Sequence, residues 1–487
     1  MSAMDAPLHA LSIAQAGELL RTRALTPLQL VQACLARTEA QEPALHAFIT
    51  RTADAALAQA EQATREIAAG QWRGPMHGIP IVHKDVLLTR GVRTTAHSRA
   101  LEHWVPDTDA VVVQRLAQAG AISLGKTACH EFAFGSPAAD DVFAPARNPW
   151  NPQHMPGSSS SGSGTAVAAG FCLGATGTDT GGSVRHPAAA CGLVGFKPTR
   201  GVLPMDGVIP LAPSMDHVGL LTRSVGDAVL MFDAMRGDTA QAPNVHTSST
   251  PYPLGAPGAP SPQASASPGT LPPPRTALPG LRIGVMRRQL QTQAHDPEIW
   301  QCFEAVLARC RASGAHVIDV ELEGGDQAVG LANTLIGFQG YQQLQHWVRD
   351  HPQLLGQGLR RRLVSAAEVT PQDHWQACVA RWQLEQTLEQ VLSQQVDVML
   401  SPGREMPPET LDALMHNPTG QRSSCNRLYS LTGHPALTLP MGLHSSGLPM
   451  ALQMATAQHS DDRLLGLALR LQSCLPWDPL HTARPWV

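Results

Sequence analysis

The chain has 487 residues, 43% hydrophobic, 15% charged and 4% aromatic, which suits one large α/β enzyme or about three smaller domains. Lys plus Arg number 35 and Asp plus Glu 39, a formal net charge of −4, and no basic run has the length that capture of nucleic acid requires. Only Arg360–Arg361–Arg362 comes close, and three arginines read as a solvated helix face.

Met1–Leu11 has neither a basic start nor an apolar stretch, so no secretory leader is expected. Residues 1–70 are expected to be helical. Thr26–Pro27 is an N-cap followed by proline at the first helical position, and Leu30, Cys34 and Leu35 recur at helical spacing. Ala53 to Ala69, rich in Ala, Glu and Gln, predicts a second helix. At Gly78 the texture changes: Gly78–Val82 is short, apolar and β-branched, the mark of a buried strand. Through residues 78–240 apolar strands alternate with Ala-rich helices and Gly-rich turns, the pattern of an α/β sheet. Residues 241–279 read as an insertion, and its Pro251–Pro274 stretch, mostly Pro, Ser, Ala and Gly, predicts a disordered or extended surface segment. In the C-terminal part, 280–487, strands are expected at Leu281–Val285, at Val396–Leu400 and within Leu431–Met441, with helices between the first two. Strand-like Phe171–Gly174 follows a small-residue helix at Thr165–Gly170. No apolar stretch reaches the ~18 residues that span a bilayer, so no membrane association is expected.

The nine cysteines form no CxxC pair, which fits reduced, mostly buried thiols in a cytoplasmic protein. No zinc spacing is visible and HExxH is absent, so neither a metal nor an organic cofactor is expected.

Two motifs mislead at first sight. Gly120–Thr127 fits GxxxxGKT, but the residues between its glycines are mostly apolar. A phosphate loop needs a turn there, so this segment predicts a buried strand with Lys126 at its exit. Gly157–Gly164 has the composition of a flexible linker and nearly fits the nucleophile elbow GxSxG, yet Ser161 stands where its second glycine belongs.

A linker would not lead straight into a dense apolar core, and this one does. It runs through a small-residue helix to Gly177-Thr-Asp-Thr-Gly-Gly-Ser183-Val-Arg-His-Pro187 and then Cys191–Thr199. Gly181 and Gly182 let backbone amides approach a ligand, and a serine beside free amides is placed to attack a carbonyl whose oxygen becomes an anion. The residues alone leave two readings open: a tight turn and nothing more, or a nucleophile with its oxyanion donors.

Pro156–Thr199 resembles the signature of the amidase signature family: GGSSGGS, a small-residue helix, then G-T-D-T-G-G-S-I-R-x-P and G-x-x-G-x-K-P-T. Gly78–Asp85 resembles the family's lysine-bearing segment. Leu124–Thr127, Glu131–Gly135, Asn148–Trp150, Ser214–Gly219, Leu431–Ala436 and Gly447–Met450 match further family segments. The resemblance implies an α/β fold with a mixed central β-sheet sandwiched by α-helices, one amidase domain over residues 1–487. It implies amide C–N hydrolysis through a serine acyl-enzyme, with esters or carbamates as further substrates.

Carried over by position, the family's triad falls on Lys84, Ser159 and Ser183. Ser183 is the implied nucleophile, Ser159 the proton relay, and Lys84 the base, its pKa lowered by burial and Asp85 turned away from it. The amides of Thr180, Gly181, Gly182 and Ser183 are the implied oxyanion hole. Ser160, Asp179 and Arg185 are the implied loop supports, and Phe132 and Phe134 are implied near the acyl pocket. Ser158 and Ser161 depart from the family pattern by replacing glycines, and the residue before the relay serine normally enters a cis peptide. The implied partner is a small-molecule amide, with no nucleic acid, and a homodimer fits the resemblance. A second reading is the A subunit of a glutamyl-tRNA amidotransferase, which hydrolyses glutamine and passes ammonia to its partner. The Leu431–Pro440 tail looks more like a stand-alone amidase.

Overall fold

The structure, a computed structural model, describes residues 7–237, 278–291, 295–416, 425–472 and 475. Pro251–Pro274 lies outside the described residues. Among these residues eleven strands form one mixed sheet. In chain order they are β1 Phe48–Arg51, β2 Pro80–Lys84, β3 Ile122–Thr127, β4 Gly174–Thr178, β5 Val194–Lys197 and β6 Val218–Thr222. They continue as β7 Arg282–Val285, β8 His316–Asp319, β9 Val398–Pro402, β10 Ala436–Leu443 and β11 Pro449–Ala455. The spatial order is β1-β3-β2-β4-β6-β5-β10-β11-β9-β7-β8, so strands from early and late in the chain meet at the β5–β10 pair. Parallel pairing is confined to β3-β2-β4 and β9-β7-β8, where helical crossovers connect the strands.

The helices form where the chain signals them. Pro27–Leu45 begins with a capping box: the Thr26 side chain accepts from the Gln29 amide and the Gln29 side chain accepts from that of Thr26. Ala53–Ala68 carries Ala56, Ala60, Ala63 and Ile67 on its buried face. Helices cover both faces of the sheet at β4. A side chain added at Gly174 would meet Met231 Sδ of the helix Val225–Arg236 at 2.9 Å, and one added at Gly177 would meet Ser160 Oγ, just before the helix Ser161–Ala169, at 2.8 Å.

That close approach explains a difference from the sequence reading. The strand was expected at Phe171–Gly174, the bulkier run, but β4 starts at Gly174 and is built from Gly, Ala and Thr. Phe171, Cys172 and Leu173 are fully buried before it. Small residues are needed where helices press on both faces, so the strand lacks the bulk that usually announces one. The helix before it starts at Ser161, inside the Gly/Ser run, and all nine of its residues are buried. Gly120–Thr127 is the strand it was read as: β3 begins at Ile122, and buried Lys126 donates to Thr94 Oγ1 at 2.7 Å.

Candidate active site

Parallel β2 and β4 end side by side, with His83 opposite Thr176, and this brings Lys84 and Thr178 together at the carboxyl ends of the strands. Open α/β sheets commonly bind ligands at that edge. The loop entering the helix Ser161–Ala169 passes over the same point. Lys84 Nζ donates to Ser159 Oγ at 2.8 Å and to Thr178 Oγ1 at 2.7 Å. The peptide bond Ser158–Ser159 is cis.

Lys84 is fully buried, and burial lowers its pKa to about 8, against a smaller opposing pull from Cys129, Asp179 and Asp216. Its chain neighbour Asp85 faces elsewhere: one oxygen accepts from the Thr95 amide at 2.9 Å and the other lies 3.5 Å from Lys126 Nζ. A buried lysine without an adjacent carboxylate has its neutral form within reach of ordinary pH.

Ser183 lines the same cleft as Ser159. Its carbonyl accepts from the Ser160 amide at 3.2 Å, which ties the two serine-bearing loops together. Ser160 Oγ in turn accepts from the Thr178 amide at 3.3 Å. Among the described residues the Ser183 hydroxyl makes no hydrogen bond, so the structure closes the Lys84–Ser159 step by a direct bond and leaves Ser159–Ser183 without one.

The loop 179–184 is shaped by one carboxylate. Asp179 accepts from Arg185 Nε and Nη2, both at 3.0 Å, with both side chains fully buried. Arg185 continues to Gln453 Oε1 at 2.7 Å and Ser430 Oγ at 2.6 Å, anchoring the loop to the C-terminal part of the chain. Burial opposes ionisation of Asp179, and Arg185 outweighs it, holding the carboxyl well below the usual range. Asp179 also accepts from the Gly182 amide at 2.7 Å and the Val184 amide at 3.2 Å.

This corrects one expected role. The Gly182 N–H is already bonded to Asp179 and is not a free oxyanion donor; Gly182 serves the turn through its positive φ of 116°. Among the described residues the amides of Thr180, Gly181 and Ser183 donate to no protein acceptor. The Thr180 hydroxyl donates to Asp216 Oδ1 at 2.6 Å, fixing that end of the loop.

A second correction concerns the phenylalanines. Phe134 lines the cleft and Phe132 does not: it is buried beneath, its amide donating to Ala96 O at 2.9 Å. Sequence reasoning also missed residues that the fold delivers to this cleft, among them His186, Arg362, Arg404, Glu409 and Arg427. Thr178 could have been found, because it lies in the quoted Gly177–Pro187 motif. Arg404 and Arg427 carry no local signal and arrive from a strand exit and a short helix far along the chain. Among the described residues no group of three or more His, Cys, Asp or Glu side chains could hold a metal ion, and no helix is long and apolar enough to cross a membrane.

A family model described as amidase matches residues 29–465. The glutamyl-tRNA(Gln) amidotransferase A subunit of Methylococcus capsulatus is 33% identical over 508 aligned positions, covering 98% of this chain and 99% of that protein. A crystal structure of an amidase superposes with a TM-score of 0.82 at 29% identity, covering 96% of this chain and 100% of that one. The peptide amidase of Stenotrophomonas maltophilia superposes at 0.77 with 28% identity, covering 96% and 98%.

Proposed function

The chain belongs to the amidase family and is a hydrolase of non-peptide C–N bonds, and we propose that it works through an acyl-enzyme on Ser183. The observation that carries this reading is the buried Lys84 Nζ, 2.8 Å from Ser159 Oγ, in a cleft that Ser183 shares. In its neutral form Lys84 donates to Thr178 and turns its lone pair to the Ser159 hydroxyl. Ser159 gives that proton to Lys84 and takes one from Ser183 as Ser183 Oγ bonds to the amide carbon. The carbonyl oxygen becomes an anion facing the amides of Thr180, Gly181 and Ser183, which are fixed before the reaction starts. As the C–N bond breaks the carbonyl reforms, Ser159 passes one proton to the leaving nitrogen and recovers its own from Lys84, and water then repeats the sequence on the acyl-enzyme. The missing Ser159–Ser183 bond is compatible with this, since catalytic hydrogen bonds are often long before substrate binds.

On the substrate, the sequence comparison favours the glutamine-hydrolysing reading over the small-amide reading that the tail suggested. Relatives that carry the amidotransferase name are 31–34% identical over nearly the whole chain. That name brings a tRNA and a further polypeptide into their reaction, so the charge-based expectation of no nucleic-acid partner is set aside. A chain of net charge −4 would leave the RNA to a partner. The stand-alone reading is the second one, supported by the likeness to an amidase and a peptide amidase. Peptide mapping after fluorophosphonate treatment tests the acyl-enzyme, which predicts the adduct on Ser183; an adduct confined to Ser159 overturns it. Release of ammonia from glutamine, with copurifying partner proteins, supports the first substrate reading, and turnover of small amides without glutaminase activity supports the second.

A further inference from the structure

Two guanidinium groups and a histidine crowd the outer side of the Thr180–Ser183 loop. Arg427 lies flat against Gly181: a side chain added there would meet its Nη1, with Cζ at 2.9 Å and Cδ at 3.3 Å. The His186 ring lies against Gly182, with Cε1 and Nε2 both 3.0 Å from where a Cβ would stand. Arg404, the first residue beyond the β9–Gly403 exit, closes the group, and all three line the cleft that holds Ser183.

Arg404 and His186 keep hydrogen-bonding capacity to spare. Arg404 is only 8% exposed, its Nε donates to Met406 O at 3.2 Å, and among the described residues no carboxylate comes within 4.0 Å of it. Two acids, Glu409, which lines the cleft, and Glu405, which does not, act on it electrostatically. Arg362, also in the lining, is braced on Phe134 by a 2.7 Å bond to its carbonyl and by its ring. His186 is 7% exposed, and its Nε2 is buried without a partner. Burial, then Arg404 and Arg427, hold the ring neutral, so Nε2–H can donate without adding a third charge. Keeping a cation largely out of water without a counter-charge is costly, and an arginine fork suits a planar anion.

We propose that Arg404, Arg427 and His186 form an anion subsite beside the oxyanion loop, so that the preferred substrate is an amide carrying a carboxylate on its acyl part. This rests on the acyl-enzyme reading above, and it holds for the side-chain amide of an amino acid or for the monoamide of a dicarboxylic acid. Among the described residues Glu409 is the one carboxylate in the cleft lining, against Arg362, Arg404 and Arg427, so the balance there is cationic.

The test uses the full chain and two alkyl fluorophosphonates of one length, one ending in a carboxylate and the other in its methyl ester. The second-order rate of Ser183 labelling, read by intact mass and corrected for each probe's own hydrolysis, should be about 10–100-fold faster for the carboxylate, as expected for charge-assisted hydrogen bonds. In Arg404→Gln that ratio should fall towards one, and in Arg404→Lys it should be intermediate. A ratio of one or below in the unmodified chain overturns the inference while leaving the acyl-enzyme intact, and so does a ratio that survives Arg404→Gln. Should Arg404→Gln fail to fold, the unmodified chain decides alone. Absence of labelling on Ser183 by both probes defeats the acyl-enzyme reading, and this inference with it.

Discussion

Lys84 and Ser159, 75 positions apart in the chain, meet at 2.8 Å in a fully buried site. The contact depends on β2 and β4 pairing in parallel, so that a strand end and a helix entrance converge. Much of the expected behaviour follows from this pair.

Lys84 must be neutral to act as a base, and burial has brought its pKa to about 8. The rate should therefore rise with pH from 6 through 8, where about half of Lys84 is neutral, and level off only above about pH 9. Lys84→Ala should lower kcat by roughly 10²–10⁴-fold, the usual share of a general base. A kcat/KM profile checks both; a profile that falls from pH 6 to 8, or a near-normal rate in Lys84→Ala, would exclude the lysine.

Asp179 and Arg185 are a fully buried bidentate pair. Asp179→Asn leaves a guanidinium short of its counter-charge, and the expected loss is about 3–5 kcal/mol, seen as a lower denaturant midpoint. The Asp179 pKa is depressed in the fold, so its stabilisation is complete above the unfolded value of ~3.9 and fades only as pH falls towards the folded one. The deficit should thus be constant between pH 5 and 9. A deficit that vanishes at pH 7 would contradict the pairing.

Gly182 has a φ of 116°, and a Cβ there would lie 2.8 Å from Asn426 Cβ and 3.0 Å from the His186 ring. Gly182→Ala should cost about 1–3 kcal/mol in stability and slow fluorophosphonate labelling of Ser183. Thermal melts and labelling rates read the two effects separately. An unchanged melting temperature would show that the turn relaxes without strain.

Cys129 is buried beside the Lys84 site, and burial pushes its pKa up to about 12. Its thiol should stay unmodified by iodoacetamide at pH 8 in the folded protein and react in urea, because the thiolate is the reactive form. Peptide mapping under both conditions gives the answer, and rapid native modification would count against this packing.

The sequence carried the motifs of the candidate site and most of the elements around it. Residue chemistry by itself left the Gly/Ser segments open between a tight turn and a nucleophile. It is the resemblance of these motifs to the amidase signature family that pointed to Lys84, Ser159, Ser183, Asp179 and Arg185. The N-cap at Thr26 and the strand at β3 were legible because each follows from neighbours within a few residues.

The tertiary structure decided what no neighbour could report. Gly182 was read as an oxyanion donor, but Asp179, curled back by Arg185, takes its N–H. Phe132 and Phe134 stand two residues apart, yet only Phe134 reaches the cleft. Strand β4 hid among small residues because helices press on both its faces. Arg404 and Arg427 join the loop at Gly181 only because late strands of the chain pair onto the early ones through β5 and β10. Motifs record chemistry that neighbouring residues perform together. The charge of a pocket is set by side chains hundreds of positions apart, whose meeting depends on strand order, which local periodicity does not encode.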